Sequence, residues 1–177
     1  MNTPNDGRVI VGIANTVSGY QALRFAVDYA RQRGAALVAV RAVPPRPAAD
    51  AWPEARQALF DTATQEVLNA FTEALGLVPE GIAITMELKS GSAAAVLLSV
   101  ATRPDDVLVI GGSDGRRRLP WRGARTAQRC VRRAVCPVIA VPASELAQQN
   151  SSRGLSRQLV HDVDLFLRQG LQTLPRG

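Results

Sequence analysis

Five short apolar runs recur along the chain, separated by longer stretches in which apolar residues return every three or four positions. The runs are Arg8 to Ala14 (RVIVGIA), Ala36 to Val43 (ALVAVRAV), Ile82 to Leu88 (IAITMEL), Val107 to Gly111 (VLVIG) and Pro137 to Val141 (PVIAV). Their length and Val/Ile content suit strands covered on both faces, where polar alternation is lost. The stretches between them read as helices. Ala22, Leu23, Phe25, Ala26, Tyr29 and Ala30 draw one apolar stripe, with Ser18 as N-cap and Gly34 as the stop. A second helix, about Trp52 to Leu75, places Leu59, Ala63, Val67, Leu68, Phe71 and Leu75 on one side and ends at Gly76. Pro44, Pro45 and Pro47 mark a loop before it. Further helices run from about Ser92 to Thr102 and from Arg122 to Arg133.

Strands alternating with helices predict an α/β fold, a doubly wound parallel sheet with right-handed crossovers. In such sheets ligands bind beyond the carboxyl ends of the strands, where the strand order reverses. For five strands ordered 3-2-1-4-5 that point lies between the first and fourth. The loops facing it are then Ala14 to Gly19 and Gly111 to Gly123. This domain spans residues 8–142, after an N-terminal tail of residues 1–7. Residues 143–154, containing SELAQQNSSRG, are polar and without period, as a linker is. In residues 155–174, Leu159, Val163, Phe166, Leu167, Leu171 and Leu174 return at helical spacing, which predicts an added amphipathic C-terminal helix.

Composition fits one globular domain: 177 residues, 46% hydrophobic and 20% charged. No apolar run approaches the roughly 18 to 20 residues needed to cross a bilayer, and the start MNTPNDGR lacks a secretory layout, so a cytoplasmic protein without membrane contact is expected. Cys130 and Cys136 are too few for a disulfide framework and stand in no Cys/His cluster, so reduced thiols and no metal site are expected. Charge is uneven. The net +6 is carried by residues 101–142, which hold nine basic and three acidic groups, chiefly Arg116, Arg117, Arg118, Arg122, Arg125, Arg129, Arg132 and Arg133. A general preference for Arg adds to the cluster, since Lys89 is the only lysine. The stretch is still a local anion-attracting patch.

The equipment of several enzyme classes is missing. A Walker loop needs Lys after a Gly-rich turn, and Lys89 follows Leu88. After the first strand, VGIANTVSGYQ has Gly12 and Gly19 at the wrong spacing for a dinucleotide fingerprint. The only histidine, His161, lies in the appended segment, leaving Ser, Cys and Thr without an imidazole base in the domain. Asp105 and Asp106 precede a strand at the end away from the crevice, where capping or solvating a turn is their expected role. No catalytic residue is assigned. What remains is IGGSDGRRRLPWRGART, in which Gly111, Gly112 and Gly115 allow a tight turn with exposed amides and Arg116 and its neighbours can neutralise phosphate.

The opening RVIVGIANTVSGYQALRFAVDYARQRGAALVAVRAV, the strand DVLVIGG and the closing CVRRAVCPVIAVP resemble, in order and spacing, the universal stress protein family across Gly7 to Pro142. The resemblance implies the 3-2-1-4-5 order and a homodimer joined at the edges of the fifth strands, here Val138, Ile139, Ala140 and Val141. Some members bind ATP, with magnesium, in the crevice. Binders carry an Asp after strand one, where this chain has Ala14 followed by Asn15, while Ala42 is positioned to line an adenine pocket. Their Gly-x-x-Gly, nine residues, Gly, Ser/Thr pattern is broken in both possible registers. One keeps Gly111 but puts Asp114, Ala124 and Arg125 at the remaining positions. The other uses Gly112 and Gly115 but meets Gly123 after seven residues and Ala124 in place of the hydroxyl. Arg125 or Arg116 to Arg118 could offset the loss electrostatically.

The expectation is therefore a non-catalytic, stress-response regulatory or protective domain acting through protein contacts, with a degenerate nucleotide site and no resident cofactor; the alternative is an ATP-binding switch. Nucleic acid is not expected as a partner. The chain has no helix-turn-helix pattern and little aromatic interleaving beyond Trp121 for base stacking.

Overall fold

The computed structural model describes residues 7–47, 52–76, 79–112 and 122–143. The expectations for residues 1–6, for the linker beyond Ala143, for the C-terminal helix and for Gly115 and Arg116 lie outside these residues. Strands β1 (Val9–Gly12), β2 (Leu37–Val43), β3 (Ile84–Ser90), β4 (Val107–Gly111) and β5 (Val138–Val141) alternate with helices α1 (Val17–Arg33), α2 (Pro53–Leu75), α3 (Ala93–Val100) and α4 (Arg122–Arg133). The sheet is five-stranded and parallel, in the order β3-β2-β1-β4-β5. Val9 pairs with Leu37 on one side and Val107 on the other, which sets β1 at the centre.

Alternation along the strands divides the core into two layers. Val9, Val11, Leu37, Ala39, Val107 and Val109 face α1 and α2, whose Leu23, Ala26, Val27, Val67 and Phe71 are buried against them. Ile10, Val38, Val40, Leu108 and Ile110 face the other way and pack with Val96, Leu97 and Val100 of α3 and Cys130 of α4. Burial of both faces removes the polar alternation from β1 and β4. Edge strand β3 departs from that expectation: Thr85 and Met86 are exposed, because β3 borders a strand on one side only and is incompletely covered. It also begins later than its apolar run, at Ile84, since its register is set by pairing from Leu37–Ile84 through Val43–Ser90.

Two helical stripes are shifted by one residue. On α1, Val27 is buried while Phe25 is exposed and stacks on Tyr29 with ring centroids 5.6 Å apart. On α2, Ala70 and Ala74 take the inner face and Leu68 turns outward. Small residues let the helix approach the sheet closely, which outweighs the larger apolar area that Leu68 offers. In the first ten residues of α2, Pro53 to Thr62, no side chain is fully buried, with Ala55, Leu59 and Phe60 half-buried; full burial begins at Ala63.

At the amino ends of the strands, Asp106 caps its turn rather than solvating it. It is fully buried and receives Arg8 Nε at 3.0 Å and Arg8 Nη2 at 2.8 Å, along with the Arg103 amide at 3.1 Å. Burial works to raise its pKa, but the Arg8 and Arg103 hydrogen bonds outweigh burial and hold it below the usual carboxylate value. The same guanidinium reaches the Val100 carbonyl at 3.0 Å, joining the end of α3 to the strands.

Candidate functional site

The carboxyl ends of β1 and β4 meet the start of α1, and the local chain explains how. After Gly12, the Ile13 amide donates to the Val40 carbonyl at 2.8 Å, so the chain stays on β2 for one more residue. It then turns, with the Thr16 amide donating to the Ala14 carbonyl at 2.8 Å. Thr16, in extended backbone, caps α1: its Oγ1 accepts from the Gly19 amide at 3.0 Å. Ser18, the expected cap, is instead inside the first turn, buried and 3.3 Å from the Thr16 hydroxyl.

Two glycines make this junction possible. A Cβ on Gly19 would lie 2.1 Å from the Ala14 carbonyl oxygen, and a Cβ on Gly111 would lie 2.9 Å from the Gly19 nitrogen and from Ser18 carbon. The end of β4 thus rests directly on the backbone of α1, with no side chain between them. Beyond it, the Gly112 amide donates to the Val141 carbonyl at 2.7 Å, tying the exit of β4 to β5.

Of the residues singled out in the sequence, Ala14 and Asn15 occupy the β1–α1 turn, half-buried and exposed respectively, and Gly111 and Gly112 occupy the β4 exit. Ala42, half-buried near the end of β2, packs on the α3 side of the sheet. Arg125 is exposed on α4. On β5, Val138, Ile139 and Val141 are half-buried and Ala140 is exposed, and the strand stands at the end of the sheet order.

A feature not singled out from the sequence joins this site. Arg41 of β2 donates from Nη1 to the Ile13 carbonyl at 3.0 Å and from Nη2 to Glu66 Oε2 of α2 at 2.5 Å. It therefore ties the β1–α1 turn to α2. Its signal was available: a lone charge within the apolar run ALVAVRAV must find a partner when the strand is buried.

The chemistry on offer is limited. Burial, and secondarily Cys136, pushes the Cys130 thiol up to about 11, and burial followed by Asp106 raises Cys136, so both thiols stay protonated at neutral pH. A thiol nucleophile needs the opposite shift. Among the described residues no group of three or more His, Cys, Asp or Glu side chains is placed to hold a metal ion. No described helix is long and apolar enough to cross a membrane.

These elements define a doubly wound α/β domain in which, at the β1/β4 switch point, the end of β4 meets the start of α1 backbone to backbone. The model of the Universal stress protein family matches residues 7–142, and the chain belongs to that family. Solved structures share the fold at low identity. The universal stress protein UspA from Lactobacillus plantarum is 20% identical, with TM-score 0.58, covering 76% of this chain and 97% of its own. The Archaeoglobus fulgidus universal stress protein in complex with dAMP is 17% identical, with TM-score 0.53 and coverage of 76% and 97%. An Arabidopsis thaliana family member with AMP bound is 15% identical, with TM-score 0.51 and coverage of 82% and 97%. No curated protein sequence matches the chain.

Proposed function

We propose that this chain is a non-catalytic stress-response domain of the cytoplasm that acts through protein contacts and whose crevice has a weakened grip on nucleotides. The observation that carries the reading is Ala14: the β1–α1 turn presents a methyl group where ATP-binding relatives are expected to present a carboxylate. Nearby, the Arg41 guanidinium is already held by Glu66 and the Ile13 carbonyl, so recruiting it to a ligand would require breaking both bonds. Contact with a second copy is assigned to the outer edge of β5, at Val138 to Val141. Val131 and Val135, each 61% exposed on the helix and turn leading into that strand, add apolar surface beside it.

Calorimetric titration of magnesium ATP, and separately of AMP, into the full chain tests the reading. Saturable binding is expected only at about 1 mM or weaker; a dissociation constant near 1 μM, some 4 kcal/mol tighter, overturns it. Sedimentation equilibrium tests the contact: a dimer is expected, and Ala140→Lys is expected to yield monomer.

One observation favours a second reading, an ATP-binding switch. Gly111 keeps the β4 exit in close approach to the start of α1, and two of the solved structures described above carry dAMP and AMP. In that case ATP at a hundredfold excess over its dissociation constant stabilises the fold by about 2.7 kcal/mol, readable as a rise in thermal midpoint.

A further inference from the structure

Most described arginines outside α4 are engaged within the molecule. Arg8 pairs with Asp106, Arg24 donates to the Ala74 carbonyl, Arg31 lies 3.9 Å from Asp28, Arg33 donates to the Tyr29 hydroxyl, Arg41 pairs with Glu66, and Arg56 lies over the Phe60 ring. The arginines of α4 differ. Arg125, Arg129, Arg132 and Arg133 are exposed, and among the described residues none of the four has an ion-pair or hydrogen-bond partner. Helical rise spreads them over roughly 12 Å. They lie on the side away from Ala127, Cys130 and Ala134, which pack on the sheet.

This arrangement works against the helix. Arg125–Arg129 and Arg129–Arg133 are like charges four residues apart, each costing about 0.2–0.5 kcal/mol, and α4 contains no acidic residue to offset them. Arg132 and Arg133 suit the negative end of the helix dipole, but Arg125 lies toward the other end. A row of exposed cations that folding disfavours, and that no described acidic side chain pairs with, forms an anion-attracting face.

We propose that the exposed face of α4 binds the phosphate backbone of double-stranded nucleic acid without reading its sequence. Magnitudes select this partner. Exposed pairs with discrete carboxylates contribute about 0–1 kcal/mol each, so four would hold an acidic peptide only weakly. Duplex nucleic acid presents one charge per roughly 1.7 Å of axis and releases condensed counterions on binding, which converts the same four charges into substantial affinity at low salt. Arginine forks also match phosphate oxygens in pairs. Contact with the phosphate backbone requires neither the helix-turn-helix pattern nor the stacking aromatic residues that the sequence lacks.

The test is fluorescence anisotropy of a labelled 20-base-pair DNA duplex with the full chain between 50 and 200 mM KCl. The expected plot of log K against log salt falls with a slope of about −3.6 or steeper, since each neutralised phosphate adds about −0.9. Arg129→Gln/Arg132→Gln/Arg133→Gln should flatten the slope by about 2.7, while the corresponding triple Lys variant should keep it. The thermal midpoint of each variant, expected unchanged or higher, separates lost contact from lost fold. Absence of binding at 50 mM salt overturns the proposal. So does an unflattened slope in a folded Gln variant, retention of binding only by the Arg form, or tighter binding to phosphatidylserine vesicles or a poly-glutamate peptide at equal ionic strength.

Discussion

Arg8 and Asp106 stand 98 residues apart in sequence and meet through two hydrogen bonds, 3.0 and 2.8 Å long, where β1 and β4 begin. Because the folded-state pKa of Asp106 is depressed, the pair adds stability above the unfolded carboxylate value of about 3.9. That contribution is lost as pH falls through the lower folded value. Asp106→Asn should cost about 3 kcal/mol at neutral pH, the low end for a broken buried pair because Arg8 reaches solvent, and should remove this part of the acid-side decline. Urea unfolding between pH 2.5 and 7 checks both.

Gly19→Ala places a methyl 2.1 Å from the Ala14 oxygen, so either the β1–α1 turn or the first turn of α1 must move. A loss of about 1–3 kcal/mol is expected, seen as a lower urea midpoint. Gly34→Ala, at a left-handed cap with nothing within 4 Å, should cost less and leave the turn in place.

The Arg41–Glu66 bridge should be measurable as a coupling. A double-mutant cycle of Arg41→Met and Glu66→Gln is expected to give about 1 kcal/mol, because both groups keep some solvent. Amide exchange at Ala14 to Thr16 should accelerate in Arg41→Met alone more than in Glu66→Gln, since only Arg41 bonds the Ile13 carbonyl.

Ala14→Asp restores the carboxylate expected of ATP-binding relatives. If its absence weakens the crevice, affinity for ATP should rise about tenfold, the equivalent of one hydrogen bond of roughly 1.4 kcal/mol, in parallel titrations of variant and parent chain.

The parallel architecture was legible because the strand runs are apolar on both faces and the helices carry their own stop signals, such as Gly34 and Gly76. Errors arose where local pattern competes with tertiary context. Phe25 and Leu68 fit an apolar stripe, but alanines and Val27 allow closer packing. Asp106 does cap its turn through the Arg103 amide, but its pairing with Arg8 was hidden because that partner lies almost a hundred positions away. The site was only half legible. The glycines stood out in the sequence and Ala14 through the family resemblance, whereas the Arg41–Glu66 bridge depends on how α2 crosses β2, which no local periodicity encodes.

The sparsely buried opening of α2 has a mechanical consequence. Its first ten residues are fastened by their own helical hydrogen bonds and few core contacts, so that end can unzip while Val67 and Phe71 remain locked in place. A protease should therefore nick the chain between Pro53 and Thr62 well before the sheet melts, leaving a clipped but still folded domain.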